Sequence, residues 1–196
     1  MTGDRIAGIV LAAGESKRLG QPKQLLSWNG KSLVEHAART ALAAGLDPVV
    51  VVIGYRGDEM RQALHAPVTV VENPDWREGI STSLRAGLKA LPEDAGAAIL
   101  LLVDQPRVDA RHLKAMVEAY RSSVQPIVVS TYQGRRSSPT LFDRSLFDEL
   151  AHATGDSGGR SLVQDHPAWV TNVEADGELA LLDVDTLDDW QRIQDA

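Results

Sequence analysis

The chain has 196 residues, 43% of them hydrophobic, enough to bury a sizeable core within the size range of one domain. Its formal net charge of -7 argues against a general nucleic-acid surface, which needs a basic face. The absence of cysteine excludes a disulfide framework, a thiol nucleophile and any cysteine-ligated zinc or iron–sulfur site.

Taken in order, the apolar segments alternate between strand-like and helix-like patterns. Residues 6–13 read as a first buried strand and 31–44 as a helix, because Leu33, Val34, Ala37, Ala38, Ala41 and Ala44 recur at helical spacing and Gly45 can end it. A second buried strand follows at 49–53, a short helix at 58–64 and a third strand at 68–71. Residues 81–91 form a helix with Leu84, Leu88 and Leu91 inward. The strand at 97–103 leads to Asp104 and is stopped by Pro106. Beyond it the pattern predicts a helix at 109–121, an extended segment at 127–131 and a helix at 146–151. It continues with a helix near Ser161, a strand at 169–173, a short strand ending near Leu182 and a terminal helix from Thr186. Such alternation predicts an α/β fold, Rossmann-like and doubly wound, its mostly parallel sheet covered by helices on both faces. No linker or internal repeat divides residues 1–196, which read as a single domain. The first apolar run is too short for a bilayer and lacks the flanks of a secretory signal, so no membrane association and a cytoplasmic location are expected.

The candidate chemistry begins where that first run ends. Leu11, Ala12, Ala13 and Gly14 open a glycine-punctuated loop that carries Lys17, Arg18, Gly20, Pro22 and Lys23 before Gln24 resumes the apolar pattern. Small residues let the main chain approach a ligand closely, backbone N–H groups can face anionic oxygens, and Arg18 and Lys23 supply charge. That combination suits a polyphosphate. Neither a Walker loop nor G-x-G-x-x-G is present, since Leu19 and Gly20 stand where the Walker pattern needs glycine and lysine.

Asp104 is the leading candidate for a metal ligand. In open α/β sheets ligands bind beyond the carboxyl ends of strands, where both the Gly14 loop and Asp104 fall. A nucleotide's Mg²⁺ is usually held by one or two carboxylates together with phosphate oxygens and water. The plainer reading is a strand-end aspartate that starts the turn at Pro106. Asp183 and Asp185 share one face of an extended segment and either could be a second carboxylate, but Asp185 also suits an ordinary helix N-terminus, so Asp183 is taken as the ligand. Residues 79–83 could simply be a loop with a serine cap, and residues 155–160 a flexible turn or a set of backbone donors for a phosphate together with Arg160. The five histidines lack metal-ligand spacing.

The pattern L-A-A-G-x-S-x-R-x-G-x-P-K-x-L-L resembles the opening of the MobA/MocA-like nucleotidyltransferases, most closely the molybdenum cofactor cytidylyltransferases. Further matching blocks lie in order at 79–88, 104–106, 155–160 and 182–186, so the resemblance runs from Ile6 to about Trp190. It implies the nucleotide-diphospho-sugar transferase type of fold and transfer of CMP from CTP to a phosphorylated acceptor, molybdopterin, with Mg²⁺ and release of pyrophosphate. A molybdoenzyme would be the recipient of the finished cofactor. By this resemblance Arg18 and Lys23 contact the triphosphate and act in catalysis with Asp104, while Lys17 faces water. Nucleotide contact falls to Leu11, Ala12, Ala13, Gly14, Gly79, Ser81 and Ser83, acceptor contact to Ser138, Asp156 and Arg160, and the metal to Asp104 with the acidic segment that holds Asp183 and Asp185, between which the resemblance does not decide. Ala12–Ala13–Gly14 matches the Ala-Ala-Gly of the cytidylyl branch rather than the Ala-Gly-Gly of the guanylyl branch. One departure stands out: Ser137, Ser138 and Pro139 occupy the place of the family's Gly-His-Pro, which makes molybdopterin less secure than nucleotidyl transfer. The alternatives are a sugar-1-phosphate nucleotidylyltransferase, usually a longer chain, and a nucleotide- or cofactor-binding maturation factor without turnover.

Overall fold

Seven strands in the order β5-β4-β1-β6-β8-β7-β9 make the central sheet of a computed structural model that describes residues 5–156, 158–177 and 180–195. Strand β1 (Arg5–Leu11) lies between β4 (Val49–Ile53) and β6 (Ala95–Leu102), parallel to both. All three are apolar on both faces, the composition of strands that helices cover on either side. β5 (Thr69–Glu72) extends one edge. On the other side β8 (Arg135–Asp143) runs antiparallel between β6 and β7 (Ile127–Tyr132), and β9 (Val170–Glu174) closes the sheet parallel to β7.

Helices cover both faces. On one, α1 (Leu33–Ala43), α2 (Gly57–Ala63), α4 (Ala110–Ser122) and α7 (Leu187–Gln194) pack around Val10, Val51, Ile99 and Leu141. On the other, α3 (Ile80–Lys89), α5 (Phe147–Ala151) and α6 (Arg160–Asp165) enclose Ile9, Val52, Leu100 and Phe142. The Ser32 side chain caps α1 by accepting from Glu35 N at 3.3 Å. At its other end Gly45 takes φ +82°, which lets Leu46 N reach Ala41 O at 3.2 Å. Among the described residues no helix is long and apolar enough to cross a membrane.

The expected elements at 49–53, 58–64, 81–91, 109–121, 127–131 and 146–151 are present with ends shifted by a residue or two. Three features differ from expectation. Helix α1 starts at Leu33 because β2 (Ser27–Trp28) and β3 (Lys31–Ser32) form a small hairpin across Asn29 and Gly30, both at positive φ. β8 was not expected as a strand, since its first half is Arg-Arg-Ser-Ser-Pro. Pro139 is tolerated there because the β7–β8 pairing passes from Val129↔Thr140 to Ser130↔Ser137, leaving the proline in an irregularity of the ladder. Finally, residues 180–182 are turn and coil rather than the short strand expected near Leu182, and 178–179 lie outside the described residues.

Helix α3 lies so close to the sheet that a Cβ at Gly87 would stand 2.5 Å from Ile9 Cγ2 and 3.2 Å from Val52 Cγ2. Both partners are β-branched and fully buried, with little rotamer freedom to retreat. Gly87→Ala should therefore lower stability by about 1–3 kcal/mol in urea unfolding, despite a gain of up to about 1 kcal/mol in helix propensity. An unchanged or higher midpoint would mean that α3 can move away from β1 at no cost.

Candidate active site

The end of β1 is held open by a buried amide. Past Leu11 the chain keeps the sheet's register for one more bond, Ala12 N to Val52 O at 2.8 Å, and then turns away. Ala12 and Ala13 are buried, whereas Gly14 is exposed and a Cβ placed on it would meet no protein atom within 4 Å. Gln24, 1% exposed, donates from Nε2 to Ala12 O at 3.1 Å and to Gly14 O at 2.6 Å. Ser16 adopts φ +58° and its hydroxyl accepts from Lys23 N at 3.2 Å, so the loop closes on its own far end. The Gly14 loop thus wraps around Gln24 and delivers the base of the Lys23 side chain to the rim of the sheet.

Lys23 meets Asp104 there. Its Nζ donates to Asp104 Oδ2 at 2.5 Å and to Asp185 Oδ1 at 3.2 Å, while Arg18 Nη2 lies 2.8 Å from Asp185 Oδ2. Burial alone would lower the Lys23 pKa, but Asp104 and then Asp185 more than offset it and hold the ammonium charged above its usual range. Lys17 is exposed and its nearest carboxylate is that of Glu15, at 3.5 Å. The three carboxylates converge because Val184 N donates to Asp104 O at 2.8 Å, laying the C-terminal segment against the end of β6. Asp183, though exposed as a residue, has its carboxyl pKa raised to about 6, first by desolvation and then by the charge of Asp104. The Asp183 Oδ1 accepts from Gln105 Nε2 at 2.8 Å. The turn itself is braced from α1, where His36 Nε2–H donates to Pro106 O at 2.9 Å and burial keeps the ring's pKa below its usual value.

Asp185 precedes α7 but its side chain takes no part in the helix cap. Thr186 caps the helix instead, in a capping box with Asp189, whose carboxylate also accepts from Asp185 N at 3.3 Å. That leaves the Asp185 side chain free to meet Lys23 and Arg18. Asp104 Oδ1 is shielded from solvent and, among the described residues, accepts no hydrogen bond, a charged oxygen suited to a cation. No set of three ligating side chains is gathered among the described residues. One or two carboxylates open to further oxygen ligands fit Mg²⁺ on a nucleotide better than a metal caged by protein alone.

The acceptor-side candidates line a neighbouring cleft of ≈ 520 Å³, whose walls include Leu11, Leu102, Phe142, Ser138, Arg160 and Asp183. Asp156 sits at the start of α3, its Oδ1 accepting from Ile80 N at 3.3 Å. Gly79 takes φ +111° directly beneath it, and a Cβ there would lie 2.6 Å from the Gly155 carbonyl. Ser157 lies outside the described residues. Ser81 and Ser83 are buried, and the Ser83 hydroxyl accepts from Asn73 Nδ2 at 2.9 Å. Neither side chain lines the cleft; Ser83 is tied through Asn73, and Ser81 holds the turn into α3 by its main-chain N–H, which donates to Gly155 O at 3.1 Å. Gln105 ties the two halves of the site together: beyond Asp183, its Nε2 reaches Ser137 Oγ at 3.2 Å. Gln24, Gln105 and Asn73 escaped sequence reasoning because a buried amide's role depends on which carbonyls and hydroxyls the fold brings to it.

Comparison with known proteins gives the site its context. Residues 8–170 match the MobA-like NTP transferase domain. Nicotine blue oxidoreductase of Paenarthrobacter nicotinovorans is 32% identical over 96% of both chains. The molybdenum cofactor cytidylyltransferase of Escherichia coli K12 is 26% identical over 93% of this chain and 92% of its own. Among solved structures, Rv0371c of Mycobacterium tuberculosis H37Rv superposes with a TM-score of 0.87 at 34% identity over 100% of both chains, and it has also been solved in complex with manganese. With a domain match covering most of its length, this chain belongs to the MobA-like family of nucleotidyltransferases.

Proposed function

We propose that this protein, acting as one domain, transfers CMP from CTP to a phosphorylated acceptor, molybdopterin, with Mg²⁺ as the cofactor and pyrophosphate as the second product. The observation that carries this reading is the cluster of Lys23, Arg18, Asp104 and Asp185 at the strand ends, beside a loop open enough for phosphates and a cleft large enough for an acceptor. The manganese complex of Rv0371c and the cytidylyltransferase relative support the divalent cation and the nucleotide.

In this reaction an acceptor phosphate oxygen forms a bond to the α-phosphorus as the bond to the β-phosphate oxygen breaks in line. The protein contributes position and charge rather than a covalent intermediate. Arg18 and Lys23 take the charge of the departing pyrophosphate. Residues 11–14, together with Gly79 and the turn that Ser81 and Ser83 shape, cradle the nucleotide through main chain and close approach. Ser138, Asp156 and Arg160 orient the acceptor, with Arg160 facing its phosphate. A divalent cation held by Asp104 with Asp183 or Asp185 would neutralise the phosphates during attack. Discrimination between bases arises at Ala13, whose methyl keeps a two-ring base from lying close beneath the turn while leaving room for a pyrimidine.

Pyrophosphate release across the four ribonucleoside triphosphates, with molybdopterin and Mg²⁺, tests this reading. CTP should exceed GTP in kcat/KM by about tenfold or more, the scale of a steric discrimination of more than 1 kcal/mol, and Ala13→Gly should narrow the gap. A wild type that uses GTP at least as well as CTP contradicts the base assignment, and no release with any triphosphate contradicts the transferase reading.

Asp104→Asn keeps the side-chain size but removes the charge. It should reduce turnover by roughly 100-fold or more, as loss of a single electrostatic contact to a transition state does, with an unchanged far-UV circular dichroism spectrum. Turnover close to wild type would remove Asp104 from the mechanism.

A further inference from the structure

Each cation assigned above to the triphosphate is engaged with a carboxylate assigned to the metal. Both oxygens of Asp185 are taken, Oδ1 by Lys23 at 3.2 Å and Oδ2 by Arg18 at 2.8 Å. Of the two Asp104 oxygens, Oδ2 is 2.5 Å from the same ammonium. Little solvent screens the central contact, since the side chains of Lys23 and Asp104 are 18% and 13% exposed. Mg²⁺ binds carboxylate oxygens at about 2.0–2.1 Å, so a cation on Asp104 Oδ2 would come within a few ångströms of the Lys23 ammonium. Like charges that close in a partly desolvated site repel strongly. The arrangement is nonetheless easy to reverse. The Lys23 main chain is anchored by Ser16, but the ammonium ends a flexible four-carbon stem, and Arg18 is 73% exposed.

We propose that Lys23 and Arg18 form a charge latch that excludes divalent cations from Asp104 and Asp185 in the ligand-free protein, and that a polyphosphate opens it by drawing both cations onto its own oxygens. The latch rests on the proposed function for the identity of the polyphosphate, but its closed state is a property of the chain alone. It makes the divalent site a product of nucleotide binding. By linkage, the two ligands then raise each other's affinity by the same factor. A free enzyme without an assembled cation site is also spared from holding a bare metal beside an empty cleft.

The test is titration with Mn²⁺ alone, followed by the electron paramagnetic resonance signal of the free ion, with no nucleotide or acceptor present. Lys23→Met should bind Mn²⁺ at least tenfold more tightly than wild type, and Arg18→Met, an exposed change that the fold tolerates, about threefold more tightly. Lys17→Met should match wild type. Adding Asp104→Asn to Lys23→Met should abolish the gain. Wild-type affinity in both Lys23→Met and Arg18→Met, or a gain that survives loss of Asp104, overturns the latch. The opening step is read separately with tripolyphosphate in EDTA: Asp185→Asn, which releases Arg18, should bind it at least threefold more tightly than wild type, and equal or weaker binding overturns that step. Because the Mn²⁺ titration contains no substrate, it is independent of the pyrophosphate-release assay, and either can fail without the other.

Discussion

A single ammonium joins segments that are distant in the chain. Lys23 is 81 positions from Asp104 and 162 from Asp185, yet it bonds to both. Three structural facts make this possible. β1 and β6 are neighbours with Leu11 paired to Leu102, so the loops that follow them leave the sheet side by side. Gln24 holds the first loop in a shape that returns Lys23 to the rim. The bond from Val184 N to Asp104 O then lays the C-terminal acidic segment along the end of β6. Only the Lys23–Asp104 contact is largely shielded from solvent, with side chains 18% and 13% exposed, and removing one partner of that pair would leave an uncompensated charge. The same cluster therefore tethers the C-terminal segment to the rim of the sheet.

The cleft beside the ion cluster depends on a different device. β8 is the one antiparallel member of the sheet, and its reversed direction brings its first residues, Arg136 to Ser138, to the rim where the parallel strands end. Gln105, following Asp104 directly, donates to Ser137 on this strand and to Asp183 on the acidic segment. One side chain thus couples the position of the carboxylates to the wall of the cleft. Ser138 lines that wall without touching the ion cluster.

The fold was legible in the sequence wherever burial imposed a pattern. The apolar runs at 49–53 and 97–103 and the spacing of Leu33, Val34, Ala37, Ala38 and Ala41 are direct consequences of strands covered on both faces and of a helix covering one. Asn29–Gly30 carried a hairpin signal that was readable but was passed over in favour of a longer helix. β8 was hidden for a physical reason: its outer half is polar because it lines a cleft, and its proline sits in a ladder irregularity that only pairing with β7 reveals. Among the candidate residues, the meeting of the Gly14 loop with Asp104 at one rim was legible because both directly follow buried strands. The contacts of Asp185 with Lys23 and Arg18 were not legible, since an aspartate before a helix also suits the helix N-terminus. Thr186 and Asp189 form a complete cap without it, and the sequence Thr-Leu-Asp-Asp already contained that box.

Lys23 and Asp104 form one energetic unit at the centre of the site. A double-mutant cycle of Lys23→Met and Asp104→Asn in urea unfolding measures it most directly. Each single change should destabilise the protein and the double change should cost less than their sum, with a coupling of about 1 kcal/mol or more, as expected for a desolvated charge pair. Additive effects, with a coupling near zero, would show that the contact is a surface ion pair of no consequence and would contradict the account.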